Sequence, residues 1–167
     1  MKQVTIYTDG ACKNNPGPGG YGVVLQYEGR RKELSAGYRL TTNNRMEILA
    51  AIIGLEALKE PCEVRLISDS QYLVNAIEKG WARRWQAKGW RRGNKEKAEN
   101  PDLWERLLAL CKIHNVRFEW LRGHAGHQEN ERCDKLAASA ALSPNPAADE
   151  FYENLKIKDC APSVRNG

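Results

Sequence analysis

Apolar and polar residues alternate from Val4 to Asp9, with Val4, Ile6 and Thr8 on one side and Thr5, Tyr7 and Asp9 on the other, which predicts a strand ending at Asp9. Asn-Asn-Pro-Gly-Pro-Gly-Gly within residues 10–20 predicts a loop. Strand-like runs at 21–27 and 32–38 flank Glu28-Gly29-Arg30, so the first three strands are expected to form an antiparallel meander. From Asn44 to Lys59 the spacing becomes helical (Ile48, Leu49, Ile52, Leu55, Leu58) and stops at Pro61. A second alternating strand is expected over 64–69, followed by a helix over 70–79 that Gly80 stops. Asn100-Pro101-Asp102 supplies an N-cap, a proline at the first helical position and an early acid, opening a helix to about His114. A last strand over 116–121 and a last helix over 128–142 follow. Strand–helix–strand runs joined to a meander predict a mixed α/β sheet with right-handed parallel crossovers.

A chain of 167 residues fits one domain, here expected over 1–142. After Ser143 the composition turns to Pro144, Pro146, Ala147 and Ala148, so 143–167 is expected to be a poorly ordered tail. The longest apolar stretch, Ile48 to Leu55, contains a glycine and is far shorter than the ~20 residues a bilayer span needs. The first nine residues lack an apolar core and carry an early acid, so they do not read as a secretory signal, and a cytoplasmic location is expected. The five cysteines are widely spaced with no C-x-x-C pair, which fits reduced thiols.

Charge sharpens the picture. The total is +5, yet residues 79–97 hold eight basic residues against the single acid Glu96, so the remainder of the chain is slightly acidic. That asymmetry points to a dedicated polyanion contact. Trp81, Trp85 and Trp90 interleave with Arg83, Arg84 and Lys88. The pattern suits a surface that tracks a nucleic-acid backbone, although tryptophans at helical spacing also pack an apolar face.

Candidate chemistry centres on four carboxylates. Asp9 and Asp69 each end a strand, and if those strands are parallel neighbours both acids emerge on one sheet edge, where open α/β sheets bind ligands. Taken singly, either can be a turn or N-cap residue. Glu47 stands in a capping-box pattern with Asn44, and Asp134 lies on the charged face of the last helix. As a set they form a hard-oxygen cluster suited to Mg²⁺ or Mn²⁺ and to phosphoryl chemistry. Gly17-Pro18-Gly19-Gly20-Tyr21-Gly22 matches G-x-G-x-x-G, but a strand rather than a helix follows, so no dinucleotide site is expected; a turn allowing close approach of a nucleic-acid backbone fits better. His124, His127 and Cys133 lack a fourth ligand for zinc. Beside carboxylates, His124 suits proton transfer, while His127 shapes the loop.

Tyr7-Thr8-Asp9-Gly10, Asn15 to Gly20, Thr41-Thr42-Asn43-Asn44-Arg45-Met46-Glu47, Ser68-Asp69-Ser70-Gln71-Tyr72 and Gly123-His124-Ala125-Gly126-His127 through Asp134, in this order over about residues 3–142, closely resemble bacterial ribonuclease HI. The resemblance implies a five-stranded mixed sheet flanked by helices and an endonuclease that cuts the RNA strand of RNA/DNA hybrids, leaving 5′-phosphate and 3′-hydroxyl ends. It implies that Asp9, Glu47, Asp69 and Asp134 hold two ions when substrate is bound, with His124 assisting. It further implies that Gly10, Asn43, Asn44, Met46 and Gln71 read the minor groove and 2′-hydroxyls, that Asn15, Thr42 and Asn100 anchor a DNA-strand phosphate, and that 79–97 forms a basic handle with Trp81, Arg83, Arg84, Trp85, Lys88 and Trp90 on the substrate. A monomer acting on a hybrid duplex is expected. Lys13-Asn14 replaces the Leu-Gly often found before Asn15, a change that asparagine's tolerance of left-handed backbone accommodates. The carboxylates alone also fit another two-metal nuclease or an integrase-like enzyme, and the basic run alone fits a non-catalytic nucleic-acid-binding module.

Overall fold

The computed structural model describes residues 1–93, 96–123 and 126–160. Five long strands, β1 (Lys2–Cys12), β2 (Gly17–Tyr27), β3 (Arg30–Thr41), β4 (Cys62–Ser68) and β7 (Asn115–Trp120), form one sheet in the order β3-β2-β1-β4-β7. The β1–β2 and β2–β3 pairs are antiparallel, while β1–β4 and β4–β7 are parallel, as the mixed sheet requires. A two-stranded ribbon pairs β5 (Arg91–Arg92) with β6 (Glu96–Lys97). The helices are α1 (Asn43–Glu56), α2 (Gln71–Glu78), α3 (Trp81–Ala87), α4 (Pro101–Ile113), α5 (Gln128–Ala141) and α6 (Glu150–Cys160).

Helix α1 is buried from Arg45 to Ile52 because it lies between the sheet and α4, which is why its apolar residues occupy every side rather than a stripe. Gly54 brings it onto Ile6 of β1 and Val23 of β2. The opposite face of β2 receives α5. A Cβ on Gly20 would stand 2.7 Å from the Ala137 carbonyl, and one on Gly22 or Gly37 would collide with the Cys133 or Ala140 carbonyl.

This corrects the loop expected over 10–20. β1 runs on to Cys12 and β2 begins at Gly17, leaving only a short turn in which Asn14 adopts φ 54°. Gly20 and Gly22 admit the backbone of α5, whereas Gly17 packs on the Lys13 carbonyl of the turn and Gly19 on Thr41.

The tail is also corrected. Ala147 joins the exposed edge of β3, where Arg39 N–H donates to Ala147 O (2.9 Å) and Ala147 N–H to Gly37 O (2.9 Å). Asp149 is buried just ahead of α6, and Tyr152 is buried in its first turn. The proline-rich stretch is therefore a tether to a docked helix, at least as far as residue 160; residues 161–167 lie outside the described residues.

His114 is buried at the end of α4, and its Nδ1 accepts the Cys62 N–H (3.1 Å), so the ring is required in its neutral form. Burial lowers its pKa below the ordinary value. Its contribution is thus fully present above about pH 6.5 and is lost as pH falls through the depressed folded value. The denaturation midpoint of the native chain is expected to fall more between pH 8 and pH 5 than that of His114→Phe; equal falls would show that the ring protonates freely.

Candidate active site

Asp69 follows the last residue of β4, and Asp9 lies inside β1 one residue past the end of the parallel β1–β4 ladder, whose last pair is Thr8 with Ser68; the strand expected to end at Asp9 runs on to Cys12. Two features bring Glu47 beside them. Gly10 lets the first turn of α1 close onto β1, since a Cβ there would lie 2.5 Å from Glu47 N and 2.6 Å from Met46 C. Thr42 caps α1 by accepting the Arg45 N–H (3.1 Å), which places Glu47 in the second turn and removes the Asn44–Glu47 capping box. Asp69 is no cap either, because Ser70 Oγ accepts the Leu73 N–H (3.1 Å) at the start of α2. Trp120 holds the Asp69 carbonyl with its indole N–H (3.1 Å), and Gly123 packs against the Asp69 carboxylate.

Asp9, Glu47 and Asp69 each offer an oxygen within 4.8 Å of the other two. Asp9 Oδ1 accepts the Gly10 N–H (2.9 Å) and Glu47 Oε1 accepts from Asn43 Nδ2 (3.2 Å), but Glu47 Oε2 is buried with no hydrogen-bond partner among the described residues. Burial, with the Asp69, Glu47 and Asp134 charges adding to it, pushes the Asp9 carboxyl up to about 9. Burial and Asp69 push Glu47 to about 8. Asp134, half-buried on α5, lies outside the three-carboxylate group yet close enough for its charge to bear on Asp9. Like charges crowded into low dielectric beside an orphaned oxygen favour a positive partner, and an all-oxygen donor set fits a hard divalent cation.

The zinc alternative fails on geometry, since the Cys133 thiol is buried and donates to the Tyr7 carbonyl (3.2 Å) with its pKa raised by burial. His124, expected to move protons, lies outside the described residues, as do Ala125, Asn94 and Lys95. His127 occupies the N-cap position of α5 without a side-chain capping bond.

Around the carboxylates, Gln71 and Asn15 are exposed and Thr42, Asn43, Asn44 and Asn100 partly so. Asn15 Oδ1 accepts the Asn43 N–H (3.1 Å), tying the β1–β2 turn to the start of α1. Met46 is fully buried, and Gly10 is buried with its N–H donating to Asp9 Oδ1 and its Cα covered by α1.

On the handle, Arg83, Arg84 and Lys88 are exposed, whereas Trp81, Trp85 and Trp90 are half-buried and pack against the core. Trp85 meets the fully buried Trp104 at 6.1 Å between ring centroids, and Trp104 meets Tyr72 edge-on at 5.4 Å. The interleaved pattern is a division of labour in which the tryptophans pack inward with part of each ring exposed and the cations face outward.

Sequence reasoning missed Arg45. It is 2% exposed and grips two carboxylates, Asp102 through Nη1 and Nη2 (2.9 and 2.7 Å) and Asp149 through Nε and Nη2 (2.7 and 2.9 Å). The signal that could have found it is helical spacing, since Arg45 lies three and four positions before the apolar Ile48 and Leu49 and so shares their buried face, where a guanidinium demands acidic partners.

The ribonuclease H family model matches residues 1–142. The ribonuclease H of Desulforamulus reducens is 68% identical over 149 residues, covering 89% of this chain and 94% of that protein. An Escherichia coli ribonuclease H is 56% identical over 144 residues, 86% of this chain and 92% of that protein. Among solved structures, LC9-RNase H1, a type 1 RNase H with the type 2 active-site motif, superposes with a TM-score of 0.76 at 31% identity over 93% of this chain and 81% of its own. LC11-RNase H1, solved in complex with an RNA/DNA hybrid, gives 0.64 at 26% identity over 89% and 99%.

Proposed function

Because the chain belongs to the ribonuclease H family, we propose that it is an endoribonuclease hydrolysing the RNA strand of RNA/DNA hybrids, acting as a cytoplasmic monomer. The observation that carries this reading is the carboxylate group of Asp9, Glu47 and Asp69 at one sheet edge, with Glu47 Oε2 buried and making no hydrogen bond among the described residues. Two Mg²⁺ ions, or Mn²⁺, bound together with substrate would supply a deprotonated water and neutralise charge on the scissile phosphate. Asp9, Glu47, Asp69 and Asp134 would hold them. Water adds to phosphorus as the P–O3′ bond breaks, leaving 5′-phosphate and 3′-hydroxyl ends; His124 assists the proton transfer to the departing oxygen.

Substrate selection falls to polar side chains. Asn43, Asn44 and Gln71 surround the first turns of α1 and α2, next to the carboxylates, and sense the 2′-hydroxyl in the minor groove. Asn15, Thr42 and Asn100 grip a DNA-strand phosphate. The handle is separated from Asp69 by the length of α2, eight residues or ~12 Å, so Arg83, Arg84 and Lys88 bind phosphates away from the reacting bond. The free thiols of Cys12, Cys62, Cys111 and Cys133 accord with a reducing compartment. Among the described residues no helix is long and apolar enough to cross a membrane.

Incubation with labelled hybrid, duplex RNA, duplex DNA and single-stranded RNA, with and without Mg²⁺, tests the reading. Cutting confined to the RNA of the hybrid and dependent on the ion is expected, and equal cutting of duplex DNA would overturn it. For the handle, Arg83→Ala, Arg84→Ala and Lys88→Ala combined are expected to raise KM with little change in kcat. Each cation removed from a phosphate should also flatten log affinity against log salt by roughly 0.7–0.9. An unchanged salt slope would remove the handle from the binding surface.

A further inference from the structure

The three residues assigned to the DNA phosphate come from three separate parts of the chain, and one buried carboxylate connects them. Asp149 Oδ2 accepts from Thr41 Oγ1 (2.7 Å) and from Arg45 Nε (2.7 Å), and Oδ1 accepts from Arg45 Nη2 (2.9 Å). Thr41 precedes Thr42, whose hydroxyl accepts the Arg45 backbone N–H. Asn15 is held to the next residue, Asn43. Asn100 Oδ1 accepts from Arg45 Nη1 (3.3 Å).

That last contact decides which end of Asn100 faces outward. Arginine has donors and no acceptor, so Asn100 must turn its oxygen to Arg45 and its amide NH₂ away, the end a phosphate accepts from. Among the described residues the NH₂ meets only Tyr72 Oη at 3.5 Å, a long contact that leaves donor capacity over. Asn100 makes no side-chain capping bond to α4 despite its N-cap position, and its φ of 60° sets it apart from the helix it precedes. Arg45 itself is too buried to reach a ligand. It therefore acts by orienting Asn100, and its own placement is fixed by Asp102 on one side and Asp149 on the other, with the Phe151 ring 5.4 Å from the guanidinium.

The geometry points to Asp149, and through it the C-terminal segment, as a positioning residue for the DNA-phosphate pocket, so that the tail takes part in substrate binding as well as in stability. The proposal rests on the hybrid-cleavage reading above. Loss of the Asp149 carboxylate leaves Arg45 tethered through Asp102 alone, so that the guanidinium orienting Asn100 can shift and Thr41 can turn, without touching Asp9, Glu47 or Asp69.

The test is steady-state cleavage of hybrid by the full chain and by Asp149→Ala and Asp149→Asn, each well below its own denaturation midpoint. Hybrids carrying one uncharged methylphosphonate in the DNA strand, moved position by position, serve as a second substrate series. Asp149→Ala is expected to raise KM about tenfold with kcat within about twofold, the size of one charge-assisted hydrogen bond. Asp149→Asn, whose amide oxygen still accepts, is expected to fall between Ala and the native chain. At the one methylphosphonate position that raises the native KM, Asp149→Ala is expected to show no further rise. Phe118→Leu in β7 lowers stability without touching this network, and its KM is expected to stay native. If the native chain cuts hybrid and shows the sensitive position while Asp149→Ala keeps a native KM, the positioning role is overturned and the hybrid reading stands. If the native chain cuts no hybrid, that reading fails and the proposal with it. Should Asp149→Ala not fold, a native KM in Asp149→Asn together with full methylphosphonate sensitivity overturns the role.

Discussion

Asp9→Asn and Asp69→Asn are each expected to reduce kcat on hybrid at least roughly 10³-fold, about 4 kcal/mol of transition-state stabilisation, because a neutral amide neither attracts nor orients a divalent ion. Asp9→Asn should at the same time make the folded chain more stable in EDTA. The Asp9 and Glu47 carboxyls sit near 9 and 8 when folded, against ordinary values of 3.8 and 4.5. The folded state therefore retains protons that the unfolded chain releases, and the favourable contribution present below about pH 4 is lost as pH rises toward the folded values. At pH 8 the folded chain must keep a proton on Asp9 that the unfolded chain has released. Asparagine is neutral without that proton and leaves the Asp9 position filled, so the midpoint should rise by roughly 2–4 °C for each kcal/mol of that cost removed. The gain should shrink toward pH 4, where the unfolded chain also keeps its proton. Adding Mg²⁺ should stabilise the native chain at pH 8, with release of protons, and the Asn variant much less. Near-normal turnover in both variants, or a midpoint for Asp9→Asn that falls equally at pH 4 and pH 8, would refute the cluster as an ion site.

Truncation after Pro146 is expected to have the largest effect on stability. It removes Asp149 from a guanidinium that is 2% exposed, takes Tyr152 off its seat and uncovers the β3 edge at Gly37 and Arg39. Breaking a buried charge network from one side costs about 3–5 kcal/mol. For a chain of this size that lowers the melting temperature by roughly 6–20 °C. Thermal denaturation of the truncated and full chains measures it, and a change of about 1 °C or less would mean that the docked helix contributes nothing.

The five strands of the main sheet, the helices α1, α2, α4 and α5 and the edge on which Asp9 and Asp69 emerge were legible, because each depends on periodicity and chain ends within a dozen residues; α3, α6 and the β5–β6 ribbon were not placed. The misread parts depend on partners far along the chain. Gly20 and Gly22 carry the same local signal as a turn, and only Cys133 and Ala137 on α5 disclose that they line a helix seat. Thr41, Thr42, Asn43 and Asn44 are all competent caps, so composition could not choose among them; the hydroxyl of Thr42 does, and Glu47 moves from a capping role to the cluster. In the tail the anchor is not one of the apolar residues Phe151 and Leu155, which stay 38% and 41% exposed, but an aspartate whose meaning depends on Arg45.

The seat of α5 bears on Asp134 in a way that ordinary core packing would not. Most helices stand off a sheet by the thickness of two layers of side chains, and that thickness can breathe as rotamers change. Here Gly20, Gly22 and Gly37 face the carbonyls of Cys133, Ala137 and Ala140, so main chain rests on main chain. The height of Asp134 above the strand that carries Asp9 is set by peptide geometry itself, with ion pairs from Arg31 to Glu129 and from Arg132 to Glu33 clasping the first turns of the helix from outside. A spacing fixed in this manner has no soft coordinate. The fourth carboxylate is in effect mounted on the sheet, and any methyl group inserted beneath the helix would displace the mount rather than be absorbed by it.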